Sequence, residues 1–179
     1  VDDSLNASMR TSYLTKAFQL LIQCIKISST YAPAYTSLGE LYTSNAENCE
    51  NENEITININ KAFKCFYRAF ELDPGELRST YAVTEHFSEK KDWYMVDLIC
   101  NSVIENERAR KSIVNVSKSA IRSKYVGPWP YRILGIVHME KQDDNKAIEY
   151  FQSALRIDQH DYASWTALGE AYLSRGKIE

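Results

Sequence analysis

The chain has 179 residues, of which 25% are charged and 44% hydrophobic, and its formal net charge is −3. That balance excludes a generally basic nucleic-acid binder and an acidic disordered tail. No apolar run approaches the roughly 18 residues a membrane helix needs, and the opening VDDSLNASMR lacks the basic-then-apolar order of a secretory signal, so no membrane role is expected.

Taken in chain order, residues 1–31 supply one helix, with Ala17, Leu21 and Cys24 on a single stripe and no helix of normal length before it. The same spacing returns in residues 32–76 as Ala62, Phe66 and Ala69. It is followed by Pro74, where a chain must leave a helix, and preceded by Tyr35, Leu38, Gly39 and Tyr42 on a first helix. From Gly39 to Ala62 there are 23 residues where an uninterrupted unit needs 12, so 11 have been inserted near 43–60. This acidic, Asn-rich insert reads as a solvated, mobile loop between the two helices.

Residues 77–110 form a degenerate unit: Val83, Thr84 and Phe87 stand at the first-helix positions, and Val96, Cys100 and Val103 at the second. Trp93 and Tyr94 read as packing near the turn. Residues 111–127 predict an extra or extended amphipathic helix, with Ile113, Val116, Ala120 and Ile121 on one face and Lys111, Lys118 and Arg122 on another. The unit 128–161 is regular: Tyr131, Leu134, Gly135 and His138, then Ala147, Phe151 and Ala154, with Pro128 or Pro130 suited to a first turn. Residues 162–179 repeat its first half 34 residues on, as Trp165, Leu168, Gly169 and Tyr172, and then stop after a turn through Gly176.

A 34-residue period with large-x2-Leu-Gly-x2-aromatic followed by Ala-x3-Phe is the tetratricopeptide-repeat signature. The expected fold is an all-α right-handed solenoid of about eight helices in antiparallel pairs, with half-units at both ends, cut from a longer scaffold. The signature residues read as repeat core. Glycine inside a helix costs about 1 kcal/mol relative to alanine, so Gly135 and Gly169 imply close approach of a neighbouring helix.

Little in the sequence points to chemistry. Cys24, Cys49, Cys65 and Cys100 match neither a zinc nor a CxxC spacing and read as free thiols. His86, His138 and His160 are scattered, no residue has the neighbourhood of an activated nucleophile, and there is no phosphate loop. No catalytic, cofactor, metal or small-molecule site is expected. Lys, Asn and Arg on the first helices would suit a clamp for C-terminal carboxylates. The equivalent positions hold Thr36, Glu40, Tyr81, Glu85, Arg132, Ile136, Thr166 and Glu170, whose carboxylates would repel such a ligand. From Arg108 to Met139 there is no acidic residue, while aromatic residues interleave the cations. The cations read either as a solvated helix face or as a contact patch, for which Lys111, Lys118, Arg122, Trp129 and Arg132 are the candidates, facing an acidic protein surface or, less directly, RNA phosphates.

The run WPYRILGIVHMEKQDDNKAIEYFQSALRIDQHDYASWTALGEAY, Trp129 to Tyr172, resembles the large tetratricopeptide subunit of the superkiller (Ski) complex, in the manner of a fungal member. That resemblance implies a non-catalytic cytoplasmic scaffold. Its partners would be a DExH-box RNA helicase and WD40-propeller subunits, in an assembly feeding messenger RNA to the exosome for 3′-to-5′ decay. Independently of it, the residues also suit an adaptor of another complex, or the substrate-docking arm of an enzyme whose catalytic domain lies elsewhere.

Overall fold

The structure, a computed structural model, describes residues 2–116 and 126–176, and these form eight helices with no strand among them. The chain divides into two compact units, residues 1–86 and 87–179.

In the first unit, α1 (Asp2–Ile27) and α2 (Ala32–Glu47) pack together, α3 (Glu52–Leu72) packs along α2, and α4 (Leu77–Glu89) begins. Pro33 sits in the first turn of α2, where its missing N–H costs nothing. The core between these helices is built largely from small residues: Ala32, Ala34, Leu38, Ala62 and Ala69 are buried. Small side chains bring the helix axes close, and the rim is closed by rings. Phe18 meets Tyr42 edge-on at 5.7 Å, and Phe63 of α3 stacks on His86 of α4 at 3.8 Å.

The expected loop across residues 43–60 is instead mostly helical: only Asn48, Cys49, Glu50 and Asn51 lie outside a helix. α2 runs eight residues past Gly39 where the regular unit's helix runs five past Gly135. α3 starts ten residues before Ala62 where its counterpart starts three before Ala147, and the turn is one residue longer. Those three, seven and one account for the 11 inserted residues. Local chemistry explains why the insert stays helical. The Asn51 side chain accepts from Asn53 N at 2.9 Å, capping α3, and Glu52 and Glu54 in its first turn complement the helix dipole.

In the second unit, α5 (Trp93–Val116), α6 (Trp129–Glu140), α7 (Asp144–Ile157) and α8 (Tyr162–Gly176) follow in order, and α6, α7 and α8 pack on one another. Leu134, Val137, Ala147, Phe151 and Ala154 are fully buried, and Ile148, Leu155, Leu168 and Ala171 complete the core. Val83 and Thr84 of α4, and Val96 and Cys100 of α5, are fully buried too, at the slots where the signature had faded. α5 continues past residue 110 to Val116; Lys118, Ala120, Ile121 and Arg122 lie outside the described residues.

Candidate interaction surface

Two glycines hold the helix pairs together. A Cβ on Gly39 would stand 2.6 Å from Phe66 Cε1, and one on Gly135 would stand 2.6 Å from Phe151 Cδ1 and closer still to Cε1. The ring of each second helix therefore lies against the bare backbone of the first. Gly169 differs from the expectation: nothing approaches its Cβ position within 4 Å. Trp165 and Tyr172 on the same helix are 53% and 49% exposed, because no described second helix lies over them, and Pro74 is likewise exposed rather than core.

Two of the large residues that open first helices are more than hydrophobes. Tyr35 Oη donates to Ser29 O at 3.1 Å and Trp165 Nε1 to Gln159 O at 2.9 Å. Thr80, in the same register, donates through Oγ1 to Pro74 O at 3.1 Å. Each bond spans six residues and ties the helix start to the preceding corner. The corners also recur. Asp73 accepts from Gly75 N at 2.8 Å and Asp158 from His160 N at 2.9 Å, an Asx turn in each. Three residues on stand the acids Glu76 and Asp161, and three further the buried Ser79 and Ser164, whose hydroxyls donate to the Glu76 backbone carbonyl and to the Asp161 carboxylate respectively. Reading for apolar periodicity missed this Asp-x2-acid-x2-Ser pattern, although its spacing is visible in both corners.

The turns inside two helix pairs match equally closely. Lys91 and Gln142 take positive φ, 56° and 59°, and the next residue's N–H reaches back to a carbonyl five before it, Asp92 to Phe87 and Asp143 to His138. Asp92 and Asp143 then cap α5 and α7 through Met95 N and Lys146 N. The degenerate unit has thus kept the turn although it lost the signature.

The polar first-helix positions are mostly engaged. Arg132 Nη1 donates to both Asp161 oxygens, at 2.9 and 2.8 Å, with the two side chains 22% and 12% exposed. It braces α6 to the corner before α8 instead of standing open to an anion. Glu40 accepts from Arg78 at 2.9 Å, and Arg78 also reaches the buried Glu76 at 3.3 Å. Thr36 is fully buried with its hydroxyl on Ala32 O, whereas Glu85, Ile136, Thr166 and Glu170 are exposed. Of the predicted contact patch, Trp129 is half-buried in the first turn of α6, and Lys111 lies in α5.

Burial governs two of the thiols and one imidazole. Burial, with Asp97 adding to it, pushes the Cys100 thiol up to about 12, and burial raises Cys65, the opposite of an activated nucleophile. His138, at the aromatic slot, stacks on Tyr150 at 5.2 Å, and its buried Nδ1 makes no hydrogen bond. Burial and Lys141 hold it below the usual imidazole value; Asp143 opposes them, but at 3.8 Å it is too distant to hydrogen-bond.

A tetratricopeptide-repeat family model matches residues 133–161. The chain is 39% identical over 163 residues, 91% of its length, to Superkiller protein 3 of Saccharomyces cerevisiae, and 32% identical over 93% of its length to Superkiller protein 3 of Schizosaccharomyces pombe. Along nine-tenths of its length the chain is thus a tetratricopeptide-repeat segment similar to a part of Superkiller protein 3. Human Superkiller complex protein 3 is 26% identical over 90% of the chain. The chain spans about a tenth of the length of these relatives: 10%, 10% and 9%. Among solved structures, MamA superposes with a TM-score of 0.61 at 15% identity, covering 95% of this chain and 83% of that one. A thermophilic TPR protein of Thermus thermophilus superposes with 0.55 at 11%, covering 94% and 77%. These two likenesses bear on the fold alone, an all-α tetratricopeptide solenoid. No helix among the described residues is long and apolar enough to cross a membrane.

Proposed function

We propose that this chain is a non-catalytic scaffold segment of a superkiller-type complex. It would hold a DExH-box RNA helicase and a WD40-propeller subunit in the cytoplasm, in an assembly that passes messenger RNA to the exosome. The observation that carries the reading is the likeness to Superkiller protein 3 along nine-tenths of the chain. Packed helix pairs, braced at their corners by Asp73, Glu76, Asp158 and Asp161, offer the rigid surface such a role needs.

Lys111, Lys118, Arg122 and Trp129 form the partner-contact patch of this reading, in the stretch without acidic residues. Arg132 supports the patch by bracing α6 rather than by reaching out. Charge reversal at Lys111, Lys118 and Arg122 is expected to weaken co-purification of the helicase and propeller subunits at physiological salt. Undiminished recovery of both would remove the patch from the account.

A further inference from the structure

The residues inserted into the first unit build a helical end that the regular unit lacks. At 1.5 Å per residue, the early start of α3 carries it about 10 Å further out than α7 reaches from its own alanine. Along this end Phe63, Ile59, Thr56 and Glu52 follow one another at helical spacing, on one face of α3. Phe63 is stacked on His86 of α4 at 3.8 Å. Ile59 is 47% exposed, and Thr56 and Glu52 are exposed too, so the face that meets α4 at Phe63 continues uncovered beyond it.

Stability does not account for the charges on this end. Glu47, Glu50, Glu52 and Glu54 are all exposed, residues 43–60 hold no cation, and no described cation pairs with any of the four. The next cation along the chain, Lys61, lies over the Tyr42 ring, 5.6 Å from its centre. Glu52 and Glu54 favour the start of α3, but Glu47 closes α2, where the helix dipole disfavours a negative charge. Like charges this close also repel one another. Acids around an exposed isoleucine are unfavourable in the free chain and become favourable when a partner brings cations and an apolar surface together.

We infer that this end of α2 and α3 docks a basic amphipathic helix of a partner protein. The apolar face of that helix continues the α3–α4 contact over Ile59, and its lysines or arginines face Glu47, Glu50 and Glu52. Phosphate-bearing partners need cations at their contacts, and residues 43–60 supply none. The inference rests on the scaffold reading only in requiring a protein partner. A docked helix from a protein other than a helicase or propeller subunit would keep it and overturn that reading's choice of partners.

A photo-crosslinking benzoylphenylalanine placed at Thr56 of the full-length protein, in its source cells, tests it, with the linked molecule identified by mass spectrometry. The expected product is one protein segment with lysine or arginine on one helix face and apolar residues on the other. It should be lost in the combined variant Glu47→Gln, Glu50→Gln, Glu52→Gln and Glu54→Gln, and lost again in Ile59→Ser. All these positions are exposed, and a wild-type melting temperature of each purified full-length variant confirms folding. No crosslink, a crosslink to RNA or to an acidic or neutral segment, or a crosslink that survives either variant would each overturn the proposal.

Discussion

Substituting alanine at the three repeat glycines should give three different results. In a helix, Gly→Ala gains about 0.5–1 kcal/mol in backbone terms, so the sign rests on what the new methyl meets. At Gly135 it meets the Phe151 ring at 2.6 Å, whereas carbon atoms rest at roughly 3.5–4.0 Å, so the ring or the helix must move by about 1 Å. Phe151 is fully buried and has nowhere to go. Overpacking of that kind costs about 1–3 kcal/mol, leaving a net loss of up to about 2.5 kcal/mol. At Gly39 the ring in the way belongs to Phe66, which is half-buried and can yield, so the net change should be near zero. At Gly169 the methyl meets nothing within 4 Å and the backbone gain stands alone. Urea unfolding followed at 222 nm, on dilute protein, should rank the midpoints Gly169→Ala above wild type and Gly135→Ala below it. Equal midpoints for those two variants would refute the reading of glycine as the seat of the phenylalanine ring.

Three further outcomes follow from the corners and the turn. Arg132→Ala should cost about 1–3 kcal/mol, between an exposed and a buried ion pair, because it strands the largely buried Asp161 carboxylate; Arg132→Lys should recover part of this, since a single nitrogen, Nη1, holds both oxygens, and an alanine variant as stable as wild type in urea titrations would contradict the brace. Gln142→Gly should stabilise by about 0.5–1 kcal/mol by relieving a positive φ, and a lower melting temperature would show that its side chain matters more than its backbone. His138 has a folded pKa below its unfolded value of about 6.5, so its contribution is intact above that pH and is lost as pH falls below it, when the unfolded chain takes up the proton first. His138→Tyr, the residue at positions 42 and 172, should therefore flatten the melting temperature between pH 7 and 5; an unchanged slope would place that pH dependence elsewhere.

The fold was legible because tetratricopeptide packing repeats at a fixed spacing, and Leu134, Gly135 and Phe151 need only one another's types to be recognised. The degenerate unit hid its signature by exchange: Thr84 stands at the glycine slot and Cys100 at the phenylalanine slot, both fully buried. Composition misled at the insert, where asparagine and glutamate suggested a loop. Asn51 and Glu52 do favour irregular or charged surroundings, but here they cap and start a helix. Arg132 could not be placed from sequence, because its partner Asp161 lies 29 residues away and the contact exists only once α6 and α8 are packed. Gly169 carried the motif without the neighbour that gives the motif its meaning.

The account rests on this chain being a surface that keeps other proteins together. Its most direct test is to tag the protein at its own locus, purify it from the source cells at physiological salt, and identify by mass spectrometry what remains bound. A helicase and a WD40-propeller protein recovered in fixed proportion are the predicted result. Recovery of neither, or of a different complex in fixed proportion, would contradict it.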